Sequence, residues 1–503
     1  MFKRIQLLLF ALISIVALYY LNLHWGGWIL PIFSLMLTIS VILIGFVIFM
    51  ENRKPSQTLN WLMILAAFPV VGFFFYLFFG QNYRKRKMFK QKAELDEKTY
   101  KQIEKNRYKH HFELNDLNEH QRNLFNLAQN VGNSSISLHT KTKVLTNGTQ
   151  AFPKMIEELK KAEHHIHLEF YIVRHDELGN EIKDVLVEKA KNGVEVRFLY
   201  DAVGSWQLSN EYKGELREAG VELIPFLPVR LPFFSNKINF RNHRKIIVID
   251  GTIGFVGGLN IGDEYIGRDK YFGNWRDTHL YVKGEGVRSL QMVFLQDWFY
   301  MTGKTLLKPV YLSPNALVEE VQGGFQLIAG GPDSEWETIK MLFFSMIMSA
   351  QKSIWIASPY FVPDEDILSA LKVAALSGID VRLLVPNRPD KKIVYYASQS
   401  YYPELMEAGI RIYQYKEGFM HSKILIVDNE LASIGTSNMD MRSFHLNFEV
   451  NAFLYRTEST KELVEDFLRD IKHSSELVYD TFKNRSIFMR MYESLCRLLS
   501  PLL

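Results

Sequence analysis

The chain has 503 residues, which is more than one ordinary domain needs. Its formal net charge of +4 is too small to indicate a nucleic-acid partner. The single cysteine, Cys496, excludes an internal disulfide and a cysteine-based zinc site.

We predict that residues 1–83 form a membrane segment with two to three apolar helices. Three runs without a charged residue, each about as long as a bilayer-spanning helix, are Ile5 to Leu23, Trp28 to Met50 and Trp61 to Phe79. A signal peptide is the alternative for the first run, but that run lacks a small-x-small cleavage pattern and a second apolar run follows it.

The basic clusters around these runs predict the orientation of the chain. Three full crossings cannot place every cluster in the cytoplasm, so either the third run, which contains Pro69 and Gly72, is re-entrant or the first run is not a crossing. The dense cluster from Arg84 to Lys87 favours a cytoplasmic position for everything that follows. We therefore expect a multi-pass protein of the cell membrane, with its basic juxtamembrane cluster on anionic lipid.

Residues 84–132 read as a charged helical connector, and after them an α/β pattern occurs twice. The stretch "AEHHIHLEFYIV" from Ala162 is similar to "AQKSIWIASPYFV" from Ala350, "NGVEVRFLYD" to "SGIDVRLLVP", and "EAGVELIPF" to "EAGIRIYQY". A period of about 185 residues is far too long for a solenoid. It indicates two homologous α/β halves, residues 133–310 and 311–503, each with a mainly parallel sheet.

Each half also contains one copy of a longer motif. "HRKIIVIDGTIGFVGGLN" and "HSKILIVDNELASIGTSN" begin at His243 and His421 and correspond position for position. The apolar run in each copy predicts a buried strand, and its period of two places the preceding histidine and lysine on one side. The matching residues are His243, Lys245, Asp250, Gly257, Gly258 and Asn260, and His421, Lys423, Asp428, Gly435, Thr436 and Asn438. One copy would be weak evidence, whereas two in register are specific.

These residue types suit the cleavage of a phosphodiester. A site for that chemistry must neutralise the phosphate oxygens, supply a nucleophile and protonate the leaving alkoxide. Lys245 and Lys423 can neutralise the oxygens, and Asn260 and Asn438 can donate N–H bonds to them. Imidazole can act as nucleophile or as acid, so one histidine can form a phospho-histidine while the other protonates the leaving group and later deprotonates an incoming alcohol. This symmetry leaves the two roles unassigned, and the mechanism needs no metal or cofactor.

The paired motif resembles the phospholipase D superfamily, and the whole chain resembles the bacterial cardiolipin synthase family within it. The supporting stretches are "ENRKPSQTLNWLMILAAFPVVGFFFYLFFGQNYRKRK" from Glu51, "NFRNHRKIIVIDG" from Asn239, "GGLNIGDEYIG" from Gly257, "NWRDTHL" from Asn274 and the terminal "SPLL". The resemblance implies that His243 is the nucleophile and His421 the general acid/base. It also implies an orienting carboxylate at Glu449 in the second half, with Asp277 as the counterpart in the first half.

Asp250 and Asp428 complete the candidate catalytic set as members of the motif. Because each ends a predicted strand, we expect them to support the site from behind rather than to react.

The implied reaction joins two phosphatidylglycerols into cardiolipin through a phosphatidyl-histidine and releases glycerol. A membrane-bound phospholipase D is one alternative, in which water resolves the intermediate to phosphatidic acid. A nuclease is disfavoured by the apolar runs and the charge. A non-catalytic lipid-binding scaffold is disfavoured because no motif position has decayed in either half. The oligomeric state stays open.

Two segments outside the motif suit a lipid surface. The motif offset shows an 11-residue insertion in the first half, within "LPVRLPFFSNKINFRN", where basic and aromatic residues alternate. Its basic residues are Arg230, Lys237 and Arg241, and its apolar ones include Leu231, Phe233, Phe234 and Phe240. A partly buried loop is the alternative. The tail "SIFMRMYESLCRLLSPLL" predicts an amphipathic helix that either lies on the membrane or packs on the catalytic domain.

A histidine cluster precedes the motif of the first half. His164, His165 and His167 lie in an alternating strand, without carboxylates or cysteines at ligand spacing. We therefore predict a structural role for them and no metal.

Overall fold

The computed structural model describes residues 27–50, 55–67, 119–229, 238–312, 321–334 and 336–500, and the single positions 20, 23, 72, 76, 89, 90 and 92. The chain divides into two compact units. One comprises Met1–Met88 with Phe233–Asn236, and the other comprises Phe89–Pro232 with Lys237–Leu503.

The first unit contains helices α1 (Ile29–Met50) and α2 (Pro55–Ala67). Ile48, Leu65 and Tyr76 form a small buried cluster there, and the Trp61 ring stands edge-on to Tyr76 at 5.5 Å. Within the part of the chain that is described, none of the helices combines the length and apolar character that a bilayer crossing requires. The first predicted apolar run and the basic cluster after residue 83 lie almost wholly outside the described residues.

In the second unit, the first helix whose bounds are described is α3 (Glu119–Gly132), at the end of the predicted connector. The strands of the first half are β1 (Thr140–Thr146), β2 (His165–Phe170), β3 (Glu195–Asp201), β4 (Glu222–Phe226), β5 (Ile246–Ile249), β6 (Ile253–Gly257), β7 (Asn274–Arg276) and β8 (Thr278–Gly284). Its helices are α4 (Asn147–Lys160), α5 (Glu177–Lys191), α6 (Asn210–Glu218), α7 (Val287–Thr302) and α8 (Pro309–Leu312). Seven of the strands form one sheet in the order β1-β8-β6-β5-β2-β3-β4.

The second half repeats this arrangement. Its strands are β9 (Gly324–Gly330), β10 (Ser353–Ala357), β11 (Phe361–Val362), β12 (Asp380–Pro386), β13 (Arg411–Tyr415), β14 (Gly418–Met420), β15 (Ile424–Val427), β16 (Leu431–Gly435), β17 (Met439–Asp440), β18 (Glu449–Tyr455) and β19 (Ser474–Glu476). Its helices are α9 (Thr338–Ser349), α10 (Glu365–Leu376), α11 (Lys392–Gln399), α12 (Tyr402–Glu407), α13 (Met441–His445), α14 (Glu458–Lys472), α15 (Tyr479–Lys483) and α16 (Ile487–Leu498). The large sheet runs β19-β13-β12-β10-β15-β16-β18-β9.

The prediction of mainly parallel sheets is wrong. Among the described strands of the two large sheets, only β2–β3, β3–β4, β10–β12 and β12–β13 pair in parallel, and every other neighbouring pair is antiparallel. The physical reason is the motif strand of each half, which runs antiparallel to β2 or β10 and then turns back in a hairpin. Asp250-Gly251 and Asp428-Asn429 form these hairpin turns with φ of 52° and 64°, and of 54° and 58°. Asp-Gly is a strong hairpin signal, and it predicts this turn as well as the end of the strand.

The internal repeat has a physical basis in how the helices end. Gly193 and Gly378 follow α5 and α10, and Gly220 and Gly409 follow α6 and α12, all with φ between 89° and 95°. That left-handed conformation ends a helix at little cost only for glycine. Each glycine therefore directs the chain from a helix into the next strand, at the same point in both halves.

The two large sheets pack face to face. Ile246, Val248 and Val256 of the first half share one buried cluster with Ile426 and Ile434 of the second. Burying a side chain of this size contributes about 1.5–3 kcal/mol, so the seam is a principal source of stability. Because motif strands β5 and β15 both contribute to this seam, the histidines that precede them lie beside it.

Candidate active site

Short backbone pairings across the seam place the two motif histidines. Asn242 pairs with Phe448, and the His243 N–H donates to the Phe448 carbonyl at 2.9 Å. In the same way Met420 pairs with Arg276, and the His421 N–H donates to the Arg276 carbonyl at 2.7 Å. Each histidine is therefore fixed by backbone of the other half.

This crossed pairing decides which carboxylate orients which histidine. His243 Nδ1 lies 2.9 Å from Glu449 Oε2, and His421 Nδ1 lies 2.6 Å from Asp277 Oδ2. Glu449 belongs to the second half of the chain and Asp277 to the first. The structure joins each carboxylate to the histidine of the opposite half. Because Nδ1–H donates to a carboxylate, Nε2 is the nitrogen left to react.

The two lysines lie directly beneath the histidines. Lys245 Nζ donates to the His243 carbonyl at 2.6 Å, and Lys423 Nζ donates to the His421 carbonyl. Lys423 Nζ is also 2.8 Å from His421 Nδ1 and 4.0 Å from Asp277 Oδ2. Since Nδ1–H already donates to Asp277, Lys423 acts on this pair as a neighbouring charge rather than as a donor to Nδ1. Both lysines are buried.

Burial dominates the electrostatics of the site. It lowers the pKa of His243 to about 4 and that of His421 to about 3, which keeps both imidazoles neutral at pH 7. Burial also lowers the pKa of Lys245 to about 7 and that of Lys423 to about 8. An anionic phosphodiester beside these groups would favour their charged forms.

The carboxylates respond in the opposite way. Burial alone would raise the pKa of Asp277, but the charge of Lys423 and the hydrogen bond from His421 outweigh it and lower that pKa to about 2. The pKa of Glu449 is likewise lowered, because His243 and Lys245 outweigh its burial. Both carboxylates are therefore ionised and can stabilise an imidazolium that forms during a reaction.

Asp250 and Asp428 lie at the far ends of the motif strands. The Asp250 carboxylate accepts the backbone N–H groups of residues 163, 164 and 165 at 2.8–2.9 Å. The Asp428 carboxylate accepts those of residues 351, 352 and 353 at 2.7–2.8 Å. Each therefore ties its motif strand to the start of the neighbouring strand.

The motif asparagines are buried, and their settings differ. Asn260 Oδ1 accepts the Ile172 N–H at 3.1 Å, and its Nδ2 donates to the Tyr265 hydroxyl at 3.3 Å. Asn438 donates its backbone N–H to Ser443 Oγ at 3.2 Å, while its Oδ1 has no partner among the described residues.

The motif glycines allow close approach to the carboxylate strands. A Cβ on Gly258 would lie 2.7 Å from Asp277 Cγ, and one on Gly257 would lie 2.5 Å from His279 Cα. A Cβ on Gly435 would lie 2.6 Å from Asn451 Cα. Thr436 takes the place of Gly258 in the second half, where its Oγ1 accepts the Val450 N–H at 2.9 Å.

Aromatic rings around the histidines were not predicted from the sequence. Tyr171 stands edge-on to His243 at 5.0 Å, and Tyr360 stands edge-on to His421 at 6.5 Å. Trp275 lies 4.8 Å from His421. The internal repeat contained a usable signal, because "YIV" and "YFV" follow the corresponding strands β2 and β10.

The insertion in the first half only partly fits its predicted exposure. Residues 230–237 lie outside the described residues, so the prediction for Arg230, Leu231, Phe233, Phe234 and Lys237 stays open. Phe240 and Arg241 are buried, and Arg241 pairs with the Asp201 carboxylate at 3.0 Å. These two residues are therefore internal and do not face lipid, because a buried carboxylate holds the guanidinium.

The histidine cluster belongs to an internal hydrogen-bond network. His165 Nε2 and His167 Nδ1 lie 3.3 and 3.1 Å from Gln291 Oε1, and His167 Nε2 lies 3.2 Å from Arg197. A second cluster, Glu337, Asp364 and His445, has donor atoms within 4.8 Å of one another. Lys340 already forms ion pairs with both of its carboxylates, so we assign no metal to it.

Comparisons with known proteins agree with this geometry. A family described as "Cardiolipin synthase, PLD-like domain" matches residues 155–272 and 343–471, and one described as "Phospholipase_D-nuclease N-terminal" matches residues 38–81. The chain is 64% identical to a cardiolipin synthase of Geobacillus sp. (strain WCH70) and 62% identical to one of Halalkalibacterium halodurans, over 100% of each chain. A crystal structure of phosphatidylserine synthase from Haemophilus influenzae Rd KW20 shares the fold. Its TM-score is 0.57 at 14% identity, over 77% of this chain and 100% of that one.

Proposed function

Because the chain belongs to the cardiolipin synthases, phosphatidyltransferases of the phospholipase D superfamily, we propose that it converts two phosphatidylglycerols into cardiolipin and glycerol. The observation that carries this proposal is the pair of histidines, each held through Nδ1 by a carboxylate of the opposite half. Two neutral imidazoles with free Nε2 atoms beside two buried lysines suit a double displacement at phosphorus.

In the first step, His243 Nε2 attacks the phosphorus of one phosphatidylglycerol. A P–N bond forms, the bond from phosphorus to the headgroup oxygen breaks, and His421 gives that oxygen the proton it needs to leave as glycerol. Lys245 and Lys423 neutralise the phosphate oxygens. The bound anion offsets the lysine charges, so it favours the protonated form of His421 that this step requires.

In the second step, His421 removes a proton from the headgroup hydroxyl of the second phosphatidylglycerol. The resulting oxygen attacks phosphorus, the P–N bond breaks, and cardiolipin is released. His243 returns to its neutral form, and His421 holds the proton for the next cycle. Glu449 and Asp277 keep the imidazoles in the required tautomer throughout. The roles of the two histidines are those implied by the family resemblance.

We also propose that the N-terminal segment anchors the protein in the cell membrane by two to three crossings, with the catalytic halves on the cytoplasmic side and anionic lipids as partners. The three uncharged runs support this. Side chains along α1 support contact with lipid, since Leu35, Ile42, Phe46 and Phe49 are each at least 60% exposed. Apolar exposure on that scale is unfavourable in water and suits lipid.

The experiment uses full-length protein reconstituted with phosphatidylglycerol alone, followed by separation of the lipid products. We expect cardiolipin and free glycerol, lost in both His243→Ala and His421→Ala and retained in the exposed control His164→Ala. With substrate labelled at phosphorus, protein denatured in alkali should carry label in wild type and not in His243→Ala. Phosphatidic acid as the main product would identify a hydrolase instead, and an unchanged lipid pool would favour the scaffold.

A further inference from the structure

The C-terminal helix α16 presents a continuous apolar stripe to the exterior. Its five stripe residues, which are 60–79% exposed, are Ile487, Phe488, Met491, Leu495 and Leu498. At 100° per residue they occupy an arc of about 100° on one side of the helix. The sequence pattern is compatible with packing of this face on the catalytic domain, but in the structure the face is exposed.

The opposite side of α16 is fixed to the second half. Arg485 forms two hydrogen bonds to Glu493, at 2.6 and 2.8 Å, and Cys496 is buried. The Tyr492 ring lies edge-on to Tyr396 of α11 at 5.0 Å, and Arg497 donates to Glu404 at 2.9 Å. These contacts fix the rotation of the helix, so the stripe stays outward.

The surface beneath α16 leads directly to one catalytic histidine. Helix α11 follows the loop of Asp390 and Lys391. Tyr360 donates its hydroxyl to Asp390, and Lys391 Nζ lies 5.7 Å from the centre of the Tyr360 ring. That ring in turn faces His421 at 6.5 Å. The stripe is therefore attached, through one helix and one loop, to the rim of the site.

Exposed aromatic residues occupy the same end of the two sheets. Trp206, Tyr271 and Trp336 are 74%, 57% and 55% exposed. Trp206 follows the end of β3, and the parallel neighbour β2 ends just before Tyr171. Tyr271 precedes β7, which ends just before Asp277. Trp336 follows β9, whose last residue, Gly330, pairs with Glu449. Tryptophan and tyrosine are the residues that favour the headgroup layer of a bilayer.

Basic residues lie on the flank of the stripe and on the neighbouring helix α11. Arg490 is exposed on the flank of the stripe, and Lys391 and Lys392 are exposed at the start of α11. An apolar helix face with basic flanks and a nearby aromatic rim matches an anionic lipid surface better than another protein.

We propose that α16 is an interfacial helix: its stripe lies in the headgroup layer of an anionic bilayer and holds the rim of the active site against that layer. The inference rests on the proposed function, in which the substrate is an anionic bilayer lipid. The alternative occupant, a second copy of the chain, is an outcome of the test.

The first test measures lipid contact without activity. Full-length protein carrying Met491→Cys and Cys496→Ala is labelled with an environment-sensitive fluorophore and placed in nanodiscs that contain lipids with a shallow nitroxide quencher. The matched control is Leu376→Cys in the same background, because Leu376 is 73% exposed at the end of α10 that precedes β12, away from the histidines. We expect several-fold stronger quenching at position 491. Equal quenching at positions 491 and 376 would overturn the proposal. So would shielding of the fluorophore at position 491 that depends only on protein concentration.

The second test separates bilayer engagement from chemistry. Leu495→Asp is compared with the control Leu376→Asp on bilayer phosphatidylglycerol and on dispersed short-chain phosphatidylglycerol. We expect Leu495→Asp to lower kcat/KM about tenfold on the bilayer only, since a charge replaces one large apolar contact. Equal loss on both substrates, or no loss on either, would overturn the inference. If wild type forms no cardiolipin at all, the proposed function fails while the quenching result still decides whether α16 contacts lipid.

Discussion

Gly258→Ala tests whether the position of one carboxylate controls the reaction. The added Cβ would lie 2.7 Å from Asp277 Cγ, and an ordinary contact begins at 3.4 Å. Relieving the contact with Cγ alone requires the carboxylate to retreat by about 0.7 Å, the difference between these two distances, and the closer contact with Asp277 Oδ1 requires more. Its 2.6 Å contact with His421 Nδ1 then stretches beyond good hydrogen-bond geometry, as does its 2.8 Å bond from the Thr278 N–H.

We expect two measurable consequences. Loss of orientation at a reacting group by about this distance lowers kcat by roughly a hundredfold. Overpacking and weakened bonds to a buried charge lower the free energy of unfolding by about 2–3 kcal/mol. Cardiolipin formation from phosphatidylglycerol measures the first effect, and urea unfolding measures the second.

A matched glycine provides the control. A Cβ on Gly214, within α6, would have no neighbour within 4 Å, so Gly214→Ala should keep full activity and gain up to about 1 kcal/mol of helix stability. In an Asp277→Asn background, Gly258→Ala should cost little further activity, because the orienting charge is already lost. Activity of Gly258→Ala within threefold of wild type would refute the reasoning, as would full additivity with Asp277→Asn.

Three further predictions concern groups around the site. Burial lowers the pKa of His279 to about 3, so below pH 6.5 the unfolded chain binds a proton that the folded chain does not. The free energy of unfolding should therefore fall by about 2 kcal/mol between pH 7 and pH 5. His279→Asn places the residue of the matching position, Asn451, in the first half and should remove this decrease. Urea titrations at pH 7 and pH 5 measure the difference. Tyr171→Phe should keep activity within about threefold of wild type, whereas Tyr171→Ala should lose about tenfold. The reason is that the Tyr171 ring contacts His243 and lies 5.5 Å from Lys245 Nζ. Equal loss of activity in both variants would contradict this. Burial lowers the pKa of Lys245 to about 7, so kcat/KM should fall above about pH 7 as phosphate neutralisation is lost, and a flat profile up to pH 9 would rule this out.

The internal duplication and the paired motif were readable in the sequence. Local chemistry specifies them: Gly193 and Gly378 end helices in a conformation that suits glycine, and alternation places each histidine beside its lysine. The membership of the chain in its family was predictable for the same reason, since the motif residues stand at fixed spacing within one short stretch of each half.

Only the tertiary structure decided strand direction and the partners across the seam. Whether a buried strand runs parallel or antiparallel depends on how the chain returns to the sheet, and an apolar run such as Ile246–Ile249 is compatible with either. Glu449 and Asp277 each bond the histidine of the opposite half, because segments more than 140 residues apart pair across the seam. Likewise, burial of Arg241 depends on Asp201, which lies 40 residues away in the sequence. Periodicity describes which face of its own element a side chain occupies, whereas these contacts depend on how separate elements pack.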